Sequence, residues 1–539
     1  MIKVVFQHAG QETSVRVNAG EDLLAAARQA GVTLEAPCNG SGTCGKCKVK
    51  ILSSSAEDEI VLACLTKVDH DVVVEIIEPF DSGNLQIKQD GLASSGGIDS
   101  IITKQYLSHS NSTHVYRKGE IIGTEEGNTE REIYGLAIDI GTTTLVVSLV
   151  NLLTGEELAA TGALNPQSRL GQDVVSRIRY ASKEQGLVEM NQLIITELNK
   201  MILQVVAEAA RGANHVYELV LSGNTCMLHL AVKANPATLG KYPYNPVVRG
   251  GNSIGANDLG LYTVPNAEVY LVPIISAYVG GDITSGILVS RLAEREDTNL
   301  FIDIGTNGEI VLATGGKLVA TSTAAGPAFE GMNISCGMRA APGAIEVFSL
   351  TTAGERSLQT IGDQVAIGIC GSGLLDIVAA LVQNGVIESN GKFSKTMNEQ
   401  LSALLTQVKE KTVFSVAEGV YLSQPDIRQV QLAKGAIRAG IEALLEHQHI
   451  TITDVDRVLI AGSFGYHLNP NSLIEIGLLP AVFRDKIEFL GNTSKTGAQG
   501  FLINQASRLA INQTIAEIAV LELSTVDKFD RLFVKCLEF

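Results

Sequence analysis

At 539 residues, with 45% hydrophobic and 18% charged side chains, the chain has ordinary globular composition and enough length for three or more domains with cores of their own. A formal net charge of −17 argues against a nucleic-acid groove or an anionic membrane surface as partner, because both demand clustered lysine and arginine to displace counterions. The opening stretch MIKVVFQHAGQETSVRV alternates like a strand and no apolar run reaches about 18 residues, so the expected compartment is the cytoplasm.

In chain order, residues 2–17 read as a hairpin turning through AGQ, EDLLAAARQAG as a short helix closed by Gly31, and KCKVKIL and DVVVEII as further strands. Between helix and third strand lies APCNGSGTCGKCKVK. Cys38, Cys44, Cys47 and the later Cys64 give the spacing C-x5-C-x2-C-x16-C, whereas the other four of the eight cysteines are scattered at 226, 336, 370 and 536. That is no disulfide framework; clustered thiols in a reducing compartment bind metal or do redox work. Zinc, the alternative, usually takes two short knuckles, whereas here three ligands share one loop and the fourth arrives separately, which favours a [2Fe-2S] cluster. Gly40, Gly42 and Gly45 would let the backbone wrap close to it and aim N–H groups at its sulfurs. Strand pair, helix, cluster loop and strands in this order resemble a β-grasp ferredoxin, expected over residues 1–80.

From 81 to 132 the chain turns polar and rich in glycine and serine, which predicts a linker with one small helix, a tether for a mobile electron carrier. Beyond it one pattern occurs twice. YGLAIDIGTTTLVVSLVNLLTGEELAA reads as strand, tight turn at Gly141, strand and turn; LFIDIGTNGEIVLATGGKLVATS repeats it around Gly305, 164 residues later. Each half also carries a long amphipathic helix feeding a buried strand: LNKMILQVVAEAARG before YELVLSGNT, and LAKGAIRAGIEALLEHQ before DRVLIAGSFG.

In both turns an Asp at a strand end (Asp139, Asp303) precedes a glycine and small polar residues: Thr142, Thr143 and Thr144 in the first, Thr306, Asn307 and Gly308 in the second. Such turns expose backbone N–H groups to phosphate, hydroxyls add donors, and the carboxylates are candidates for Mg²⁺ and for positioning water. Gly462, Ser463 and Gly465 end a buried strand with little bulk, as a base lying across that edge requires. Glu309 is a candidate for orienting an attacking water, with a structural role by strand alternation as its alternative. Asp282 reads as a cleft acid or as a helix cap; Gly371, in CGSGLL, as a phosphate-facing helix start. Cys336 and Cys370 are expected to be buried small hydrophobes, and His467 a surface or cap residue.

The ordered set of two turns, a connecting helix and a late glycine turn resembles the actin, sugar kinase and heat-shock chaperone ATPase superfamily over residues 133–500. The resemblance implies a duplicated ribonuclease-H-like α/β fold that binds ATP, divided here into a first half at 133–212 and a C-terminal domain at 213–539. With a ferredoxin-like module ahead of it, and blocks such as GPAFEGMNISCGMRAAPGAI, the whole resembles the reductive activators of corrinoid proteins. This implies ATP-dependent one-electron reduction of cob(II)alamin to cob(I)alamin on a corrinoid protein of a methyltransferase system, an upstream electron donor and a homodimer. A small-metabolite kinase with a redox-sensing cluster is the competing reading; it needs a base aimed at an acceptor hydroxyl, which the sequence offers only in the Asp pair. A non-hydrolysing electron-transfer scaffold is the third.

Overall fold

A computed structural model describes residues 1–8, 11–32, 34, 36, 40, 42, 46–52, 59–77, 97–462 and 468–539. The period-two alternation at the start becomes an antiparallel hairpin of β1 (Ile2–His8) and β2 (Gln11–Val17), with Val4 and Phe6 buried. Asp22 caps α1 (Leu23–Gln29), accepting from the Ala25 N–H at 2.8 Å, and the helix buries Leu23, Leu24, Ala26 and Ala27. With β3 (Lys48–Leu52), β4 (Glu59–Leu62) and β5 (Val72–Ile76) the sheet runs β2-β1-β5-β3-β4, its central pair β1 and β5 parallel. This is the β-grasp arrangement.

Over 97–132, the described part of the linker expected at 81–132, the structure shows a sheet in place of a linker with a small helix. β6 (Ile102–Leu107), β7 (Ser112–Arg117) and β8 (Glu120–Glu126) form an antiparallel sheet. Its sequence reads as polar because one face meets solvent, while Ile101, Ile102 and Val115 enter a core shared with the next domain. Buried polar contacts hold it there. Lys104 pairs with Glu125 at 2.6 Å and lies 4.8 Å from the centre of the Tyr217 ring, and Arg117 pairs with Glu268 at 3.0 Å. Residues 78–96 lie outside the described part.

The next sheet comprises β9 (Tyr134–Ile140), β10 (Thr144–Asn151), β11 (Glu157–Leu164), β12 (Val216–Gly223), β13 (Ser253–Gly255) and β14 (Glu268–Leu271), in the order β11-β10-β9-β12-β14-β13. α2 (Val174–Ala181), α3 (Glu184–Glu208) and α4 (Thr225–Ala231) cover one face, burying Met190, Ile194, Leu198 and Ile202 of α3. The division expected after residue 212 therefore falls inside one sheet, since β12 pairs with β9 in parallel. The helix that precedes β12 packs on this sheet and opens no new domain. α5 (Gly281–Ser290) follows.

The second body repeats the plan. β15 (Asn299–Ile304), β16 (Gly308–Thr314) and β17 (Lys317–Thr323) form the hairpin pair. An excursion follows: β18 (Ala344–Leu350), β19 (Arg356–Thr360), β20 (Gly368–Ile369), α6 (Gly371–Gln383), α7 (Glu399–Ser402), β21 (Leu405–Val408), β22 (Lys411–Ala417) and β23 (Val420–Ser423). Then come α8 (Gln424–His447), β24 (Arg457–Ala461), α9 (Pro470–Glu475), β25 (Ile487–Gly491), α10 (Thr493–Ile503), α11 (Gln505–Glu517), β26 (Ala519–Val520) and α12 (Phe529–Lys535). Read from the hairpin, the order β17-β16-β15-β24-β25 matches β11-β10-β9-β12-β14, and β26 adds itself in parallel to the outer edge of β17. Between the two sheets α5 and α10 cross so closely that a Cβ on Gly497 would lie 2.4 Å from the Ser285 Cβ. Phe301, Tyr270 and Phe501 fill the core around that crossing.

Candidate functional site

The duplicated plan places both turns at the same end of their sheets. Asp139, the penultimate residue of β9, is nine-tenths buried. Its carboxylate accepts from Asn492 Nδ2 at 2.9 Å and Ser494 Oγ at 2.6 Å, both at the start of α10, where Asn492 is also the helix cap. Burial pushes the carboxyl up; these two donors and the nearby Lys495 charge pull it part of the way back. Gly141 donates its N–H to the Thr144 carbonyl at 2.9 Å, and a Cβ on it would fall 2.7 Å from that oxygen, so the turn requires glycine. Arg177, fully buried, donates to the Thr142 carbonyl at 2.6 Å from beneath, and burial lowers its pKa to about 10. Asn224 donates to Thr142 Oγ1 at 2.9 Å, and Thr143 Oγ1 donates to Glu330 at 2.5 Å. Thr144 begins β10.

In the second turn the Gly305 N–H donates to the Asn307 carbonyl at 3.0 Å, and Thr306 Oγ1 donates to the other oxygen of Glu330 at 2.5 Å. Gly308 packs against α8, its absent Cβ 2.7 Å from Ile437. Burial, then the charges of Asp282 and Asp139, raise the Asp303 carboxyl to about 8. Asp282 lies in the first turn of α5, whose cap is Gly280; it accepts from the Ile283 N–H at 2.9 Å, and burial lifts it to about 7. Glu309, across the ladder from Asp303, is raised well above its ordinary value by burial and by the Asp282 and Asp303 charges, with Ser322 and Asn307 hydrogen-bonding it. Four carboxylates from β9, α5, β15 and β16 thus crowd one space beside two hydroxyl-bearing turns.

Crowded carboxyls whose ionisation burial opposes suit a cation, which would favour their charged form. Among the described residues no group of three or more His, Cys, Asp or Glu lies close enough to hold a metal ion by itself. Mg²⁺ asks for no such group: it keeps several waters and is bound through one or two carboxylates and substrate phosphates. Gly462, at φ +121°, ends β24 beside the second turn: a Cβ there would fall 2.6 Å from the Ile304 carbonyl, as one on Gly223 would fall 2.5 Å from the Ile140 carbonyl in the first half. Ser463, Gly465 and His467 lie outside the described residues. Gly371 starts α6 against the Phe329 carbonyl, where a Cβ would fall at 1.8 Å, so close packing alone demands glycine there. Sequence reasoning missed Arg177, Asn224, Glu330, Asn492 and Ser494; the Asn-Thr-Ser start of a helix after β25 is the one local signal that marked any of them.

At the other site, Cys47 and Cys64 are buried and their sulfurs converge to 3.3 Å. Gly40 and Gly42 take φ +90° and +77°, and a Cβ on Gly42 would lie 2.8 Å from Leu65. Two converging thiols, with glycines in the left-handed region at 40 and 42, fit a thiolate-held cluster. Cys38, Cys44 and Gly45 lie outside the described residues. Lys46, next to Cys47, donates to the carbonyls of Ser335 at 3.3 Å and Gly337 at 2.5 Å, joining the first domain to the segment after Glu330. Cys370 is buried, whereas Cys336, between those two carbonyls, is half-buried and accepts from the Tyr421 N–H at 3.5 Å.

Fold and site define a ferredoxin-type domain joined to a duplicated phosphate-cleft fold. Residues 6–69 match the 2Fe-2S iron-sulfur cluster binding domain, 134–295 the RACo middle region, and 297–539 the C-terminal domain of RACo, the ASKHA domain. A solved structure of a reductive activator for corrinoid, iron-sulfur protein is 31% identical, with TM-score 0.76, over 100% of this chain and 98% of that one. The corrinoid activation enzyme RamQ of Eubacterium limosum is 29% identical over 93% of each chain. The [Co(II) methylated amine-specific corrinoid protein] reductase of Methanosarcina barkeri is 26% identical over 70% of this chain and 71% of its own. The chain belongs to the family of reductive activators of corrinoid proteins.

Proposed function

We propose that this protein spends ATP to return one electron to a protein-bound corrinoid, converting cob(II)alamin to cob(I)alamin. The observation that carries the reading is the union in one chain of two converging buried thiols, Cys47 and Cys64, with a cleft of four crowded carboxylates. A [2Fe-2S] cluster, when bound, supplies a one-electron donor near about −400 mV, which leaves corrinoid reduction uphill. Cys38, Cys44, Cys47 and Cys64 hold it. Gly141 to Thr144 and Gly305 to Gly308 cradle the phosphates through N–H and hydroxyl donors, while Asp139, Asp282 and Asp303 hold hydrated Mg²⁺. Glu309 orients the attacking water, Gly462 with Ser463 and Gly465 borders the base, and Gly371 supports the cleft from beneath. Nucleotide binding favours one arrangement of the two lobes, and that bias supplies the missing driving force.

The reading includes a corrinoid protein as partner, an upstream donor that reloads the cluster, a homodimer, and a cytoplasmic setting that keeps the thiols reduced. No described helix is long and apolar enough to cross a membrane. The test is anaerobic: mix dithionite-reduced protein with a cob(II)alamin-bearing corrinoid protein and follow cob(I)alamin in the visible spectrum. Formation with ATP and not with AMP-PNP is expected. Formation without nucleotide removes the coupling, and phosphorylation of a small metabolite instead supports a kinase.

A further inference from the structure

We propose that Glu330 reports nucleotide occupancy to the cluster-bearing domain, releasing Lys46 when a terminal phosphate arrives; the proposal rests on the nucleotide cleft assigned above. Its carboxylate spans the two halves of the cleft, accepting at 2.5 Å from Thr143 of the first turn and at 2.5 Å from Thr306 of the second. Each threonine hydroxyl has a single proton to give. A terminal phosphate entering between the turns seeks the same two protons and carries the same sign of charge, so it and the carboxylate exclude one another. ADP, shorter by that group, leaves the bridge in place.

The movement has a short route outward. Glu330 is followed by Gly331, whose φ of +75° and lack of a Cβ let the Met338 carbonyl approach: a Cβ would lie 2.4 Å from that oxygen. Gly337 in turn lies against the Gly331 carbonyl, where a Cβ would fall at 2.1 Å. Backbone thus rests on backbone with no side chain to absorb a shift, and close-packed contacts transmit displacement. Gly337 and Ser335 are the residues whose carbonyls hold Lys46. Lys46, Gln172, Glu330, Gly331 and Gly337 line one cleft. Asp426 fixes Ser335 by accepting from its N–H at 2.8 Å, so of the two carbonyls that hold Lys46 the one displaced is that of Gly337, the residue packed on Gly331.

The direction is defined. Without nucleotide the cluster domain is parked on the 331–337 segment; with ATP bound, Lys46 is freed and the domain becomes available to a partner. The test uses the full chain under anaerobic conditions, measuring amine-reagent labelling of Lys46 by mass spectrometry and nucleotide binding by calorimetry on the same samples. Saturating Mg·AMP-PNP should raise Lys46 labelling several-fold, and Mg·ADP should not. In Glu330→Ala, Lys46 should label at the raised rate without nucleotide and show no further response. Glu330→Gln keeps the size and an acceptor, and its amide can donate to phosphate, so it should bind AMP-PNP with Lys46 still protected. AMP-PNP bound by the wild type with unchanged labelling, or a normal response in Glu330→Gln, overturns this proposal alone. Absence of nucleotide binding by the wild type overturns it together with the assigned cleft.

Discussion

Replacing Asp303 with Asn tests the charge crowding that defines the cleft. Burial, with the Asp282 and Asp139 charges, holds the Asp303 carboxyl at about 8, whereas an unfolded aspartate titrates near about 3.9. Folding therefore favours the neutral form: its stabilising contribution is fully present below about pH 3.9 and is lost as pH rises towards about 8. At about 1.4 kcal/mol per unit the bound is roughly 5 to 6 kcal/mol. Water entering the cleft raises the local dielectric and reduces this to roughly 2 to 3 kcal/mol. Asn keeps the shape without the charge, so metal-free Asp303→Asn should overtake wild type progressively between about pH 5 and 8.5. At the upper end its Tm should be higher by about 4–9 °C. Differential scanning calorimetry across that range gives the profile. Saturating Mg·AMP-PNP at pH 8.5 should reverse the order, because the cation requires the carboxylate. A Tm difference that does not change with pH, or a wild type more stable than the variant at pH 8.5 without metal, would refute the crowding.

Cys64→Ser should abolish the visible absorbance of the cluster while leaving the calorimetric transition of the ATPase portion within about 1 °C, since the two cores are separate. Ser494→Ala removes the 2.6 Å hydrogen bond to Asp139 and should weaken Mg·AMP-PNP at least about tenfold in calorimetry, charge-assisted bonds contributing about 1.5–3 kcal/mol. Because losing that donor raises an already elevated carboxyl further, the deficit should be larger at pH 6 than at pH 8. Arg508→Ala strands the fully buried Glu218, which Arg508 meets at 2.7 Å. It should lower Tm by about 10 °C, the cost of an unpaired buried charge being about 3–5 kcal/mol.

The repeated strand–Asp–Gly pattern was readable because a tight phosphate-type turn permits few residues: Gly141 cannot carry a Cβ, and Gly223 and Gly462 meet the same constraint at equivalent places in the two halves. The thiol spacing was readable for a similar reason, local geometry imposing local composition. What stayed hidden comes from distant segments. Asn492 and Ser494 reach Asp139 across 353 and 355 residues, and no periodicity near either end announces the meeting. Arg177, on a helix face that looks amphipathic, points inward to a backbone carbonyl in place of an apolar residue. The sheet at 102–126 was hidden by its polar outer face, and the continuity of the next sheet across residue 212 by the pairing of β12 with β9, distant segments whose meeting no local pattern announces.

The two residues of β26 have an importance out of proportion to their number. Val319 and Ala320 pair with Ala519 and Val520, and the Leu521 N–H donates to the Ala320 carbonyl at 2.8 Å, so the last segment of the chain seals the rim of the second sheet. A protein shortened before residue 519 would present β17 as an open, largely apolar border, and such borders recruit strands from other molecules. Its failure would show itself as concentration-dependent self-association, with the nucleotide cleft still assembled inside each aggregated copy.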